Sequence, residues 1–241
     1  MPARAWGFKS PLAHSVQSQS FLEALGPADV EVLHAAGSRR AFDPGELLCR
    51  EGDAGAAILV VIAGHVKLTK TAPSGRATML ELRGPGDVLG EMSVLDGAAQ
   101  SANAIALDRV EVLVVGAARF DELRRERASI ANALLAVVVR RLRQATARQH
   151  ELGTTDVIAR VCARLVELAD AHGEPTPDGL LVRVLSQQEL ADWAGVSRDG
   201  VVRALHELRD AGLVDSGRGR VLIKDLAGIR KRAGPTPLSA S

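Results

Sequence analysis

The sequence has only two cysteines, Cys49 and Cys162, in 241 residues. They lie far apart and fit no CxxC or Cys/His spacing, so the chain cannot build a zinc site or an iron–sulfur cluster from its own cysteines. Neither cysteine has sequence neighbours that suggest a redox role. We therefore expect two small buried thiols.

Long hydrophobic runs are also absent. No uninterrupted apolar stretch reaches the roughly 18 residues that a membrane-spanning helix needs. The N-terminal residues contain no apolar block before a small-residue cleavage site, as a secretory signal would. We expect a cytoplasmic protein without a membrane partner.

The common short catalytic motifs are missing as well. The sequence contains no GxxxxGK(S/T) phosphate loop, no GxSxG and no HExxH. A chain of 241 residues fits two domains that each bury a core, which leaves no room for a further catalytic domain. We expect a protein that is not an enzyme.

The formal net charge is only +1, but the charges are unevenly distributed. Residues 119–150 carry eight arginines and three acidic residues, whereas residues 1–118 carry ten basic and thirteen acidic residues. A basic middle and an acidic front fit a protein whose front half does not contact DNA phosphates.

Hydrophobic periodicity divides the first half of the chain. Residues 1–20 lack periodicity and are predicted to form a flexible arm. Residues 21–36 favour one or two short helices. From 40 to 115, short runs rich in Val, Ile and Leu alternate with Gly and Pro turns about every eight to twelve residues. This pattern predicts a small β-barrel or roll within a domain spanning 21–118.

A long helix is predicted over residues 119–152, which contain neither Gly nor Pro, although its front part can equally form a separate short helix. Steps of three and four, as in a coiled coil, connect Leu135, Val138, Leu142, Ala145, Gln149 and Leu152. We expect a parallel homodimer through this helix. The alternative is a helix packed only on its own β-domain.

The most specific pattern lies between Leu185 and Val214. Ala191, Gly195 and Val201 have the spacing of a helix-turn-helix, which needs a small residue at the helix crossing, a turn residue with positive φ and an apolar residue that joins the two helices. Ser186 and Glu189 predict a capping box on the first helix.

The elements around this motif indicate a winged helix over 154–228, followed by a disordered tail over 229–241. The predicted DNA contacts are Ser197, Arg198, Asp199, Arg203, Arg218 and Arg220. Arginine can donate twice to guanine and aspartate can accept from cytosine in the major groove, while a Gly-turned wing contacts phosphates. An adaptor that binds protein partners instead of DNA is the rival hypothesis.

With these motifs in view, the chain resembles the CRP/FNR family of transcription regulators from about residue 21 to 228. The family's recognition pattern SRE(T/x)VxR is matched by Ser197, Arg198, Asp199, Val201 and Arg203. Asp199 is one methylene shorter than the usual Glu, and Gly200 is a weak helix former. These departures leave open whether the half-site is the family's TGTGA-like sequence.

The resemblance implies an α+β fold: an N-terminal cyclic-nucleotide-binding-like β-roll (a double-stranded β-helix or jelly roll), a long dimerisation helix and a C-terminal winged helix-turn-helix. It also implies a homodimer on double-stranded DNA, with two recognition helices about 34 Å apart on an inverted repeat. RNA polymerase is an implied partner. Allosteric control is implied through the long helix and a hinge near Gly153.

The resemblance further implies a cyclic-nucleotide-like pocket formed by Gly90, Glu91, Met92, Gln100, Ser101 and Thr146. Gln100 stands where nucleotide-binding members have an Arg, and Ala145 stands where they have a Thr for the adenine amino group. Glutamine cannot neutralise a phosphate. We therefore expect cAMP binding to be weak, altered or absent, rather than of ordinary affinity. The alternative role of Glu91 is to hold its own loop in place.

Other effectors of this family need ligands that the sequence does not supply. The cysteine cluster of the oxygen sensors is missing, and His65 lies in a predicted strand pair, where a half-exposed surface histidine is commoner than a haem ligand. We expect no metal, haem or iron–sulfur cluster.

Overall fold

The structure, a computed structural model, describes residues 20–71, 77–183, 186–217 and 219–234. The predicted N-terminal arm therefore lies, except for Ser20, outside the described residues. Helix α1 (Pro27–Ala36) precedes a set of eight strands and one short helix: β1 (Ser38–Phe42), β2 (Leu47–Cys49), β3 (Ala57–Ala63), β4 (Val66–Thr71), β5 (Ala77–Arg83), β6 (Val88–Leu89), α2 (Glu91–Asp96), β7 (Asn103–Ala106) and β8 (Val110–Gly116).

These strands form two four-stranded antiparallel sheets, ordered β1-β8-β3-β6 and β2-β7-β4-β5. Strand β3 shows why they enclose a core, since successive side chains point to opposite faces. Ile58 and Val60 pack with Phe120 on the helical side, while Leu59 and Val61 lie in the core between the sheets. The predicted β-roll is confirmed.

Two helices follow the roll, α3 (Ala117–Glu126) and α4 (Ala128–Thr154). Arg127 separates them with an extended backbone (φ −127°, ψ 101°), and its guanidinium donates to Asp29 at 2.7 Å. At about 1.5 Å per residue, the 27 residues of α4 span about 40 Å. One face of α4 is buried on the roll through Ile130, Ala133, Leu134 and Val137.

The rest of the chain forms a winged helix: α5 (Val157–His172), β9 (Glu174–Thr176), β10 (Gly179–Arg183), α6 (Gln187–Ala194), α7 (Arg198–Asp210), β11 (Val214–Gly217), β12 (Arg220–Ile223) and α8 (Leu226–Ala233). Its strands are ordered β11-β12-β10-β9. The backbone of α4 stays helical through Gly153, where a hinge was expected, and becomes extended at Thr155. Asp156 then caps α5 by accepting from the Ala159 amide at 2.7 Å.

The prediction of a disordered tail over residues 229–241 is wrong for its first part. Asp225 caps α8 by accepting from the Gly228 amide at 2.9 Å, and Ile229 is fully buried in the core of the winged helix. A helix of eight residues with one fully buried side chain has too weak a periodicity to stand out in the sequence. Residues 235–241 lie outside the described residues.

The winged helix packs directly on the β-roll. Met79 and Leu82 of β5 belong to the same hydrophobic core as Leu190 of α6. Lys67 on β4 donates to Glu189 on α6 at 2.6 Å. The two domains therefore share one apolar core and an ion pair in this arrangement.

Buried charges surround this contact. Arg83 and Arg164 are only 6% and 1% exposed, so each needs an anionic partner to offset the cost of burying its charge. The ion pairs are Arg83 with Glu81 (2.6 Å), Arg148 with Glu167 (2.9 Å), Arg164 with Glu167 (3.1 Å) and Arg164 with Glu151. The first pair lies within β5, and the second and fourth pairs join α4 to α5. Arg148 also lies 3.7 Å from Glu81, which links α4 to β5. The guanidiniums of Arg148 and Arg164 lie 5.5 and 5.8 Å from the ring of Trp193.

Two histidines also meet at the contact between the β-roll and the winged helix, at the end of α5. The rings of His65 and His172 meet edge to face with centroids 5.3 Å apart, and His65 Nδ1 lies 2.8 Å from Asp108 Oδ2. A Cβ placed on Gly84 would come within 2.5 Å of the His172 ring, so only glycine allows this approach. Burial and then the neighbouring His65 lower the pKa of His172 to about 4, against a smaller opposing effect of Asp87.

Acidification is expected to loosen the contact between the domains. The pKa of His172 is about 4 in the packed state and near 6.5 when the ring is exposed, so the separated state binds the proton more tightly. The stabilising contribution is complete above pH 6.5 and is lost progressively as the pH falls towards 4. Trp193 fluorescence, measured in a Trp6→Phe background, should shift to the red over that range.

The matched variants are His172→Gln, which should flatten this transition, and His206→Gln on an exposed helix face, which should leave it unchanged. A transition of the same size and midpoint in His172→Gln would show that another group is responsible.

Candidate functional site

The helix-turn-helix is built as its sequence pattern predicts. Ala191 and Val201 are fully buried where α6 and α7 cross, and Gly195 adopts φ 63° in the turn between them. Ser186 accepts from the Glu189 amide at 3.2 Å while the Glu189 carboxylate accepts from the Ser186 amide at 2.9 Å, which completes the capping box.

Helix α7 begins with a side-chain cap and presents charged residues to solvent. Ser197 Oγ accepts from the Gly200 amide at 3.1 Å. The buried side of α7 consists of Gly200, Val201, Ala204, Leu205 and Leu208. The opposite, exposed side is called the reading face here, and it consists of Arg198, Asp199, Val202, Arg203 and His206.

Arg198, Asp199 and Arg203 are free to meet a ligand. All three are exposed, and none forms an ion pair or side-chain hydrogen bond within the part of the chain that the structure describes. Asp199 and Arg203 are four residues apart and therefore lie on one face of the helix, and Arg198 lies beside Asp199 at the start of that face. This arrangement can present two guanidiniums and a carboxylate to base edges.

Gly200, a poor residue for helix propensity, has a packing reason in the structure. A Cβ at this position would lie 3.2 Å from Val157 Cγ1 and 3.3 Å from Ser197 Oγ. Glycine therefore lets the first turn of α7 approach the first turn of α5 closely. Sequence reasoning identified the departure but not its cause, since the contact joins residues 43 positions apart in the chain.

The wing is a short hairpin between β11 and β12 with Gly219 at φ 69° in its turn. Arg220 is exposed at the start of β12, and its side chain lies over Gly217, where an added Cβ would come within 3.1 Å of Arg220 Nε. Arg218, the other predicted wing contact, lies outside the described residues.

A cavity of about 540 Å³ separates the first turn of α7 from the β-roll. Ala77, at the start of β5, lines it opposite Ser197 and Arg198. Ala77 of the β-roll therefore lies near the first turn of α7.

The second predicted site lies between β6, α2 and α4. Gly90 adopts φ 75°, and a Cβ there would lie 2.8 Å from the Ala57 carbonyl and 3.2 Å from Gln100 Nε2. Glu91 is only 5% exposed. The structure therefore places Gly90, Glu91 and Gln100 near one another.

Arg141 of α4 occupies this site, and sequence reasoning missed it. It donates to Glu91 and to the Val88 carbonyl, the latter at 2.7 Å. Burial and then the charge of Arg83 lower the pKa of Arg141. The sequence did contain a signal that could have identified Arg141. It precedes Ala145, the expected adenine position, by one helical turn and so lies on the same face of the helix.

The remaining pocket residues are less closely gathered. Met92 is 52% exposed on α2, and Ser101 is exposed as well. Thr146 is exposed and donates to the Leu142 carbonyl of its own helix at 3.0 Å. The site therefore consists of the buried Arg141–Glu91 ion pair, the turn at Gly90 and the side chain of Gln100, with Met92, Ser101 and Thr146 exposed.

Three further observations concern the described residues. Within the described ranges, no three His, Cys, Asp or Glu side chains are grouped so that they could hold a metal ion. Burial raises the pKa of both thiols, Cys49 and Cys162, to about 11. Among these residues there is no helix with the length and hydropathy needed to cross a bilayer.

Comparison with known proteins identifies both domains. Residues 39–127 match the cyclic nucleotide-binding domain, and residues 159–232 match the Crp-like helix-turn-helix domain. The cyclic AMP receptor protein of Thermus thermophilus is 33% identical over 218 residues, which cover 90% of this chain and 94% of that protein. The CRP-like cAMP-activated global transcriptional regulator of Mycobacterium tuberculosis is 32% identical over 195 residues, covering 80% and 86%.

The crystal structure of the Thermus thermophilus catabolite activator protein aligns with a TM-score of 0.51 at 32% identity, covering 88% of this chain and 97% of that one. The likeness extends through both domains and preserves their order. The chain therefore belongs to the CRP family and is a transcription regulator with an N-terminal cyclic nucleotide-binding domain and a C-terminal Crp-like helix-turn-helix that binds DNA.

Proposed function

We propose that this regulator reads DNA through Arg198, Asp199 and Arg203, with Ser197 fixing the start of the helix. The observation that carries the proposal is that three exposed charged side chains without partners among the described residues share one face of an N-capped helix. Arginine pairs with guanine and aspartate with cytosine in the major groove. Arg220, together with Arg218, contacts phosphates beside the helix.

The DNA-binding unit is a homodimer joined along α4. Leu135 and Leu142 are 61% and 67% exposed on the side of α4 that faces away from the roll, and Val139 between them is 40% exposed. Large apolar residues in such a stripe stabilise a coiled coil when a second copy covers them. Two α7 helices about 34 Å apart then enter successive major grooves of an inverted repeat.

The effector site is the Glu91 region, and its ligand class is a cyclic nucleotide held weakly. Glu91 can accept from a ribose hydroxyl, but Arg141 already uses it. Gln100 supplies a neutral donor where a phosphate needs a cation. A nucleotide therefore has to displace the Arg141 pair and gains no bidentate arginine contact in return.

Control of DNA binding passes along α4. Arg141 joins that helix to the effector site, while Arg148, two turns later, joins it to Glu167 in the winged helix. An effector that binds only after the contact between Arg141 and Glu91 rearranges has a higher affinity for the rearranged state than for the packed state. Such a difference in affinity is what shifts the population from one state to the other. The regulator acts in the cytoplasm, with RNA polymerase as its partner at promoters.

Base reading is tested by selecting bound duplexes from a random DNA pool, with and without cAMP and cGMP. Arg203→Ala should weaken binding to the selected site about 10- to 100-fold, because a bidentate arginine–guanine pair contributes ~1–3 kcal/mol of discrimination. Arg109→Ala removes an exposed charge from the β-roll and should leave the affinity unchanged. Equal affinity of Arg203→Ala and wild type in a gel shift would contradict the assignment.

Dimerisation is tested by Leu142→Glu, which places a charge in the middle of the exposed stripe of α4. Sedimentation at micromolar concentration should give a dimer for the wild type and a monomer for the variant, because the glutamate cannot be buried without a partner. Leu47→Glu, at a residue 37% exposed on β2, is the control and should remain dimeric. A monomeric wild type would exclude the proposed assembly.

Effector affinity is tested by calorimetry with cAMP and cGMP. The wild type should bind either nucleotide with a dissociation constant no tighter than micromolar, and Gln100→Arg should tighten it about 10- to 100-fold through a charge-assisted hydrogen bond of ~1.5–3 kcal/mol. Gln188→Arg adds the same charge to the exposed surface of α6 and should have no such effect. Submicromolar binding by the wild type would overturn the role given to Gln100.

A further inference from the structure

Val202 is the apolar member of the otherwise charged or polar reading face. It is 40% exposed on α7. Every other large apolar residue of this helix is in the core: Val201 and Leu208 are fully buried, and Leu205 is 4% exposed. Val202 therefore contributes little to the packing of the winged helix.

Valine at an exposed helix position also stabilises the helix less than alanine or leucine would. Its branched Cβ loses rotamer freedom against the preceding turn, so its helix propensity is below that of alanine or leucine. The same branching restricts χ1 to one strongly preferred rotamer in a helix, which holds both methyl groups in a defined place. A stiff apolar group suits contact with one fixed partner.

The position of Val202 points to that partner. It lies one helical turn, about 6 Å, beyond Arg198 and directly beside Arg203. Any duplex read by these two arginines must bring base edges against Val202. In the major groove, thymine alone presents an apolar group, its C5 methyl, and apolar side chains are the natural contact for it.

The three charged residues of the reading face are not suited to recognise this methyl group. Arg198 and Arg203 are donors suited to guanine, and Asp199 is an acceptor suited to cytosine. None of the three distinguishes a T·A pair. We infer that Val202 is a specificity-determining residue, whose methyl groups select a thymine next to the G·C pairs read by Arg198 and Arg203. This inference rests on the proposed reading of DNA by α7.

The test removes only the methyl group from the DNA. In the duplex selected by the wild-type protein, each thymine is replaced in turn by deoxyuridine, and binding is measured by fluorescence anisotropy. At one position of each half-site, uridine should weaken wild-type binding about fourfold, as expected for losing one buried methyl-sized group. Val202→Ala should bind the thymine duplex more weakly and lose this uridine penalty.

Two further variants sharpen the result. Val202→Thr keeps one methyl group and the branched Cβ, so it should retain part of the penalty. Leu47→Ala, at an exposed apolar residue of the β-roll, should behave as the wild type. Because Val202 is exposed and alanine favours helices, Val202→Ala is expected to fold normally, which its circular dichroism and melting temperature check.

The outcomes separate the inference from the function on which it rests. If the wild type selects no preferred sequence, the reading of DNA by α7 fails as a whole. If it selects a sequence but every uridine replacement changes its affinity less than twofold, or if Val202→Ala keeps the full uridine penalty, the thymine contact is wrong while base reading by the arginines stands.

Discussion

The central helix α4 is the constraint on which the rest of the molecule depends. One face is buried on the β-roll through Ile130, Leu134 and Val137. Arg141 extends from the same helix to Glu91, and Arg148 extends to the winged helix. A hydrogen-bonded rod about 40 Å long does not bend easily. In the proposed function, a change at the Glu91 site is transmitted as movement of the whole helix against its neighbours.

The contact between the domains opposes such movement. It combines the apolar residues Met79 and Leu82 with the ion pairs of Lys67 with Glu189 and of Arg148 with Glu81 and Glu167. Buried pairs add little net stability compared with apolar packing, but they are costly to separate, so they favour one arrangement over similar ones. In this arrangement Ala77 faces the beginning of α7 across the cavity.

Much of the fold was predictable because its signals are local. The capping box at Ser186 and Glu189, the positive φ at Gly195 and the alternating strand β3 depend on residues close in sequence. Arg198, Asp199 and Arg203 were predictable as an exposed group for the same reason. Arg141 and the histidine pair of His65 and His172 were not, because their partners lie 50 and 107 positions away in the chain.

The sequence by itself determined which segments become strands and helices, where the recognition helix begins and which of its side chains face outward, since periodicity and capping act over a few residues. Only the tertiary structure decided that Glu91 is held by an arginine of α4, that β5 packs on α6 and that Gly200 touches Val157. Those contacts depend on how distant segments pack. The free energy of burying apolar and charged groups selects that packing, and no local pattern encodes it.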